Sequence, residues 1–96
     1  MNKTLLLSLA SLIALTFNVS AAEMSAAEHT AAAAFDTQQA NFHRKLATSH
    51  RSAASISASA AKHGLQRKHN ASALQEDGIA KDLDASALEH QKLANP

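Results

Sequence analysis

Alanine dominates this chain and constrains its fold more than any other feature. From residue 22 onward alanine occupies 20 positions, whereas β-branched residues occupy only five. Alanine is the best helix former because it loses no side-chain entropy in a helix. Proline, which would break a helix, is absent before Pro96. The sequence therefore predicts an all-α fold, either an alanine-rich helical hairpin or a small helical bundle.

The beginning of the chain has the three-part pattern of a cleavable signal peptide. Lys3 supplies a positive end, and an apolar run of about 13 residues follows it. A segment that spans a bilayer needs about 20 apolar residues, so this run is too short for a membrane anchor. The small residues of "NVSAA" suit cleavage after Ala21 or Ala22. We therefore expect a signal peptide over 1–21, a mature region over 22–96, and a periplasmic or secreted location.

The two glycines divide the mature region into three predicted helices. Gly64 and Gly78 are the only glycines of the chain, and glycine commonly ends a helix by taking the left-handed conformation. The sequence predicts a long helix over about 25–62 and shorter helices over about 65–75 and 79–93.

Large apolar residues form one stripe on the long predicted helix. Phe35, Phe42 and Ile56 share a heptad column, and Leu46 lies in the column four residues further on. The chain has no cysteine, so disulfides cannot support its thin core. We expect the helices to form a homo-oligomer, or to use this stripe against an envelope protein or an anionic membrane surface.

Basic residues are concentrated in the middle of the chain. The segment from Phe42 to His69 contains no acidic residue, and acidic residues prevail after it. Either the basic segment meets an anionic membrane or phosphate, or the acidic C-terminal helix folds back on it. We do not expect nucleic acid as a partner, because the segment lacks stacking aromatic residues and the mature charges balance. The basic patch consists of Arg44, Lys45, Arg51, Lys62, Arg67 and Lys68.

Besides the basic residues, histidine is the residue type that could form a functional site, by binding a metal ion or by gaining charge with pH. "FHRKLAT" and "SHRSAAS" repeat a histidine after seven residues, which places His43 and His50 on one helix face but about 10 Å apart along the axis. Two such imidazoles cannot bind one ion unaided, although each could contribute to a site between helices. The alternatives are a solvated helix edge, or groups that gain charge as the pH falls through about 6.5. The candidate ligands for Cu, Ni or Zn are His29, His43, His50, His63, His69 and His90, with Glu28, Asp36 or Glu89 completing the shell.

The segments "AAEH", "FHRKLAT", "SHRSAA" and "SALEH" give the chain a resemblance to the small periplasmic histidine-bearing metal-binding proteins of Gram-negative bacteria. That resemblance implies a helical bundle that binds divalent metals loosely. The chain departs from the family's pattern by having fewer histidines and no closely spaced pairs, which argues against high-capacity metal buffering.

No constellation of residues indicates catalysis. The chain has no Gly-rich loop or nucleophile turn, so its serines and histidines do not suggest a triad or a phosphate cradle. We therefore expect an exported, non-catalytic envelope accessory or stress-type protein that binds divalent metals weakly through surface histidines. The alternative is a structural or interaction protein whose amphipathic helix self-associates or binds a partner or an anionic membrane surface.

Overall fold

Two long helices run antiparallel to each other over residues 24–96, the part of the chain that the computed structural model describes. Helix α1 comprises Ala26–Ser59 and helix α2 comprises His63–Ala94. The predicted all-α class is confirmed, and of the two predicted architectures the helical hairpin is the one observed. The predicted signal peptide over 1–21 lies outside the described residues.

A capping box starts α1. The Ser25 hydroxyl accepts a hydrogen bond from the backbone N–H of Glu28 at 3.1 Å, and the Glu28 carboxylate accepts one from the backbone N–H of Ser25 at 2.7 Å. These bonds satisfy two backbone donors that a helix start leaves open. Glu28 also places a negative charge at the positive end of the helix dipole.

A Schellman turn ends α1 and leads directly into α2. The backbone N–H of Lys62 donates to the carbonyl of Ser57 at 2.7 Å, and that of Ala61 donates to the carbonyl of Ala58 at 3.0 Å. Ala61 has a φ of 59°, the left-handed conformation that glycine usually supplies. The prediction that Gly64 ends the long helix is therefore wrong, since Gly64 lies in the first turn of α2.

Helix α2 continues through Gly78 without a break. The predicted boundary between helices over 65–75 and 79–93 is therefore wrong. A glycine inside a helix costs only about 0.5–1 kcal/mol relative to alanine. Buried residues on both sides of it, Glu76 and Ala80, hold the two flanking turns against α1.

The helices meet along a seam of small and polar residues, in which buried positions alternate three and four residues apart. This spacing is the 3.5-residue repeat of an antiparallel coiled coil. One column of each helix consists almost entirely of alanine, and the other contains histidines and acids. The buried residues are His29, Ala33, Asp36, Ala40, His43, Ala47, Ala54 and Ser57 of α1, and Ala73, Glu76, Ala80, Leu83 and Ala87 of α2.

The predicted apolar stripe lies beside this seam. Phe35 and Leu46 are half-buried, whereas Phe42 and Ile56 are exposed. Alanine in the seam lets the two backbones approach closely, and the larger side chains lie at neighbouring positions of the wheel. Within residues 24–96 no helix has the length and apolar character that crossing a membrane requires.

Candidate functional site

Polar residues face each other across the hairpin at intervals of one heptad. In α1 they occupy every seventh position from 29 to 50. In α2 the opposite positions are 90, 83, 76 and 69, and all of these are polar except Leu83, which stands opposite Asp36. Seven helical residues rise about 10.5 Å, so successive levels are separated by that distance. The observed pairs are His29 with His90, His43 with Glu76, and His50 with His69.

The middle level is a fully buried histidine–carboxylate pair. His43 Nδ1 lies 2.5 Å from Glu76 Oε1, and each side chain is 1% exposed. With Glu76 ionised, its carboxylate accepts and Nδ1 of His43 carries the proton. The imidazole Nε2 is buried and has no hydrogen-bond partner among residues 24–96. The Phe42 ring meets the His43 ring edge-on, with the two centroids 5.6 Å apart.

A histidine pair occupies the level nearest the open end of the hairpin. The Nδ1 atoms of His29 and His90 are 2.8 Å apart, and the ring planes are inclined by 38°. His29 is buried and His90 is half-buried. A hydrogen bond between two Nδ1 atoms requires a proton on one and a lone pair on the other, so at least one of the two imidazoles is neutral in this arrangement.

A second histidine pair lies nearer the turn. The Nδ1 atoms of His50 and His69 are 3.4 Å apart, with ring centroids separated by 5.6 Å. Both rings are half-buried.

The level of Asp36 lies between those of His29 and His43. There the Ser86 hydroxyl donates to the buried Asp36 carboxylate at 2.6 Å.

The sixth predicted ligand does not join these levels. His63 is exposed at the start of α2, where its Nδ1 lies 3.3 Å from Gln66 Oε1. The description of the histidines as surface residues is wrong for His29 and His43, which are 3% and 1% exposed. The histidines that repeat every seven residues lie between the two helices, because the buried positions of the seam also recur every seven residues.

Glu76 is the functional candidate that the histidine spacing did not identify. It lies seven residues after His69 and fourteen before His90, and therefore in the same column of α2. A search for any polar residue at heptad distance from a histidine would have found it.

The histidine pairs could bind a metal ion with two protein ligands. A tetrahedral ion at about 2.0–2.1 Å from each nitrogen holds two imidazole nitrogens roughly 3.3 Å apart. The separation at His50 and His69 already matches that value, and the pair at His29 and His90 would have to open by about 0.5 Å. Within residues 24–96 no three side chains of the histidine, cysteine or acidic type come together as a metal site. The carboxylates of Glu28, Asp36 and Glu89 thus do not complete a shell in this arrangement.

Charge divides the hairpin into two halves. The basic half, residues 44–75 around the turn, contains six Lys and Arg and no acidic residue. The acidic half, 24–43 with 76–96, contains seven Asp and Glu and two Lys. The pair at His50 and His69 therefore has a positive surrounding, and the pair at His29 and His90 a negative one.

Two ion pairs join the two halves of the hairpin along one edge. Arg44 contacts Asp84 at 2.6 Å, and Arg51 contacts Asp77. The acidic helix thus does fold back on the basic segment, although these pairs are 40–49% exposed and contribute about 0–1 kcal/mol each. The other members of the predicted basic patch make no ion pair within residues 24–96; they are Lys45, Lys62, Arg67 and Lys68.

Comparisons with known proteins give no relative: no family model, no curated protein and no solved structure matches the chain.

Proposed function

We propose that this protein is an exported, non-catalytic accessory of the cell envelope that binds divalent transition metals weakly through histidine pairs between its two helices. The single observation that carries the proposal is the placement of two Nδ1 atoms face to face at both His29–His90 and His50–His69. The N-terminal pattern supports export, and a periplasmic or secreted location follows from it.

Weak binding follows from the number of ligands. Each pair supplies two imidazole nitrogens, and water completes the coordination of the bound ion. A structural zinc site has four protein ligands, so these pairs bind far less tightly. Cu, Ni and Zn are the suitable ions because imidazole prefers them to Mg and Ca.

Calorimetry with Cu, Ni or Zn on the mature chain tests the proposal. The double variants H29Q/H90Q and H50Q/H69Q should each lose one binding event, while the exposed His63→Gln control keeps both. Thermal unfolding gives a second readout, since an ion that binds only the folded hairpin raises its melting temperature and a chelator reverses the gain. If His63→Gln loses as much heat as the double variants, or if helical double variants bind as well as the parent, the proposal is wrong.

Salt distinguishes the two pairs from each other. Screening weakens the attraction between an ion and the acidic half and also weakens the repulsion from the basic half. Affinity at His29–His90, measured in H50Q/H69Q, should therefore fall as salt rises. Affinity at His50–His69, measured in H29Q/H90Q, should rise.

A second candidate function is that of a structural or interaction protein. The observation that favours it is the exposure of large apolar side chains outside the seam, 42% for Phe42 and 71% for Ile56. This function needs no metal, and variants at these two positions would leave the histidine pairs in place.

A further inference from the structure

Large apolar side chains are collected on one long side of the hairpin, which we call the apolar flank. Its members come from both helices and include the stripe predicted from the sequence. They are Phe35, Phe42, Leu46 and Ile56 of α1, with Leu65, Ile79 and Leu93 of α2.

The geometry of the seam places these residues together. In α1 the arginines of the ion pairs each follow a histidine of the seam by one residue, whereas Leu46 precedes Ala47 by one. Each residue turns a helix by about 100°. The residue after a seam histidine and the residue before a seam alanine therefore lie on opposite sides of the seam. In α2, Ile79 precedes Ala80 in the same way and packs against the small core of Ala40, Ala80 and Leu83. The apolar flank is therefore the side opposite the ion pairs.

Large apolar side chains, which are scarce in the seam, lie on the apolar flank. Among the buried apolar residues of the described segment 24–96, only Leu83 is larger than alanine. On the flank, Phe42, Ile56, Leu65 and Leu93 are between 42% and 71% exposed. A chain of this size rarely obtains enough stability from one thin core, and oligomerisation is a common remedy.

Charge indicates which occupant fits the flank. The two ion pairs on the opposite side use two charges of each half. The basic half then keeps four Lys and Arg, and the acidic half keeps five Asp and Glu with two Lys, so the two halves of this hairpin, about 53 Å long, still have opposite sign. If two copies pack antiparallel, each basic half lies over the partner's acidic half. A parallel arrangement would bring like charges together.

We propose that a second copy of this chain packs antiparallel on the apolar flank and forms a four-helix assembly. The two hairpins are related by a twofold axis near the level of His43, so both use the same surface. The assembly covers the exposed flank residues and leaves the ion pairs and the histidine levels inside each hairpin unchanged. An anionic membrane suits this flank less well, because the acidic half of the hairpin would be repelled by the lipid surface.

Sedimentation over a range of protein concentrations measures the association. Matched controls exist on α2, where Leu74 and Leu88 are 70% and 52% exposed but lie one turn from the acids of the ion pairs, away from the flank. Ile56→Gln should raise the dimer Kd about tenfold, and Leu74→Gln less than about twofold. Phe42→Gln and Leu88→Gln repeat the comparison, and circular dichroism confirms that each variant is helical.

The antiparallel orientation of the two copies and the attraction between their charged halves can also be tested. Rising salt should raise the dimer Kd, since it screens favourable contacts between the halves. The chain has no cysteine, so Ser55→Cys carries a single spin label near the turn. Twelve residues separate Ser55 from the level of His43, which places the two labels of an antiparallel dimer roughly 35 Å apart along the axis.

Three results would overturn the proposal. One is a monomer at every concentration up to the millimolar range. Another is a dimer that responds equally to Ile56→Gln and Leu74→Gln, tightens with salt, or holds the labels at Ser55 side by side. The third is a monomer that binds vesicles of anionic lipid through the flank, which would assign this surface to a membrane instead.

Discussion

His43 and Glu76 form the centre of the hairpin, with Nδ1 and Oε1 2.5 Å apart and both side chains 1% exposed. The alanine columns on either side are nearly uniform and would pack equally well after a shift of one heptad. Such a shift in one direction would bring Glu76 opposite Asp36, another carboxylate. In the other direction it would bring Glu76 opposite His50 but leave His43 opposite Leu83. Each alternative leaves a buried polar group without its partner, so the pair selects the observed register.

Removing one member of this pair should destabilise the hairpin strongly. Glu76→Ala leaves the buried His43 imidazole without an acceptor for its Nδ1 proton, and we expect a loss of about 3 kcal/mol in the free energy of unfolding. Urea unfolding followed by circular dichroism measures it. The double variant H43L/E76L should recover most of that loss, because two apolar side chains of similar size replace two polar ones. A double variant as unstable as Glu76→Ala would contradict this account.

The composition of the chain was enough to predict helices, but the seam could not be read from hydrophobicity. A search for large apolar residues finds Phe42 and Ile56, which lie outside the seam, and misses Ala40 and Ala47, which are 0% exposed. Alanine occurs at both buried and exposed positions, so its presence alone does not distinguish them. The repeat of histidine after seven residues was the informative signal, because a residue fixed at heptad spacing stays on the face that meets the other helix.

The glycines predict the helix ends wrongly, because packing between the helices outweighs the local preference of one residue. Gly78 has the residue type that ends helices, but seam positions continue on both sides of it and tertiary packing outweighs the local preference. The actual turn has an alanine at the left-handed position, Ala61, which sequence rules would not select. The pairing of His29 with His90, 61 residues apart, depends on that turn and could not be predicted before the turn was located.

Enlarging the alanine column should separate the helices. Ala47 is 0% exposed, so Ala47→Leu adds three carbons where the backbones approach, and we expect a loss of about 1–3 kcal/mol. Ala34→Leu is the matched control, since Ala34 is an exposed residue of the same helix and leucine is nearly as good a helix former as alanine. Thermal unfolding of both variants measures the difference. Equal melting temperatures would show that Ala47 does not lie at the contact.

Replacing Gly78 should stabilise the hairpin. Apart from its chain neighbours and the backbone of its own helix, a Cβ at this position meets no atom of residues 24–96 within 4 Å, and the residue lies inside α2. Gly78→Ala removes backbone freedom from the unfolded chain without a clash, so we expect a gain of about 0.5–1 kcal/mol. Urea unfolding at one fixed protein concentration measures it, since association would make the apparent stability depend on concentration. A loss of stability would mean that α2 is bent or broken at Gly78, as the glycine pattern alone predicts.

Replacing alanine by glycine at position 61 should stabilise the turn. Ala61 has a φ of 59°, a conformation that costs an alanine roughly 1 kcal/mol and a glycine almost nothing. Ala61→Gly should therefore raise the free energy of unfolding by up to about 1 kcal/mol, although part of the gain is lost to the greater freedom of glycine in the unfolded chain. Ala34→Gly, in the exposed interior of α1, should lower it by about 0.5–1 kcal/mol. Because both variants make the same chemical change, opposite signs would place the left-handed residue at 61. A loss of similar size at both positions would mean that α1 does not end in a Schellman turn there.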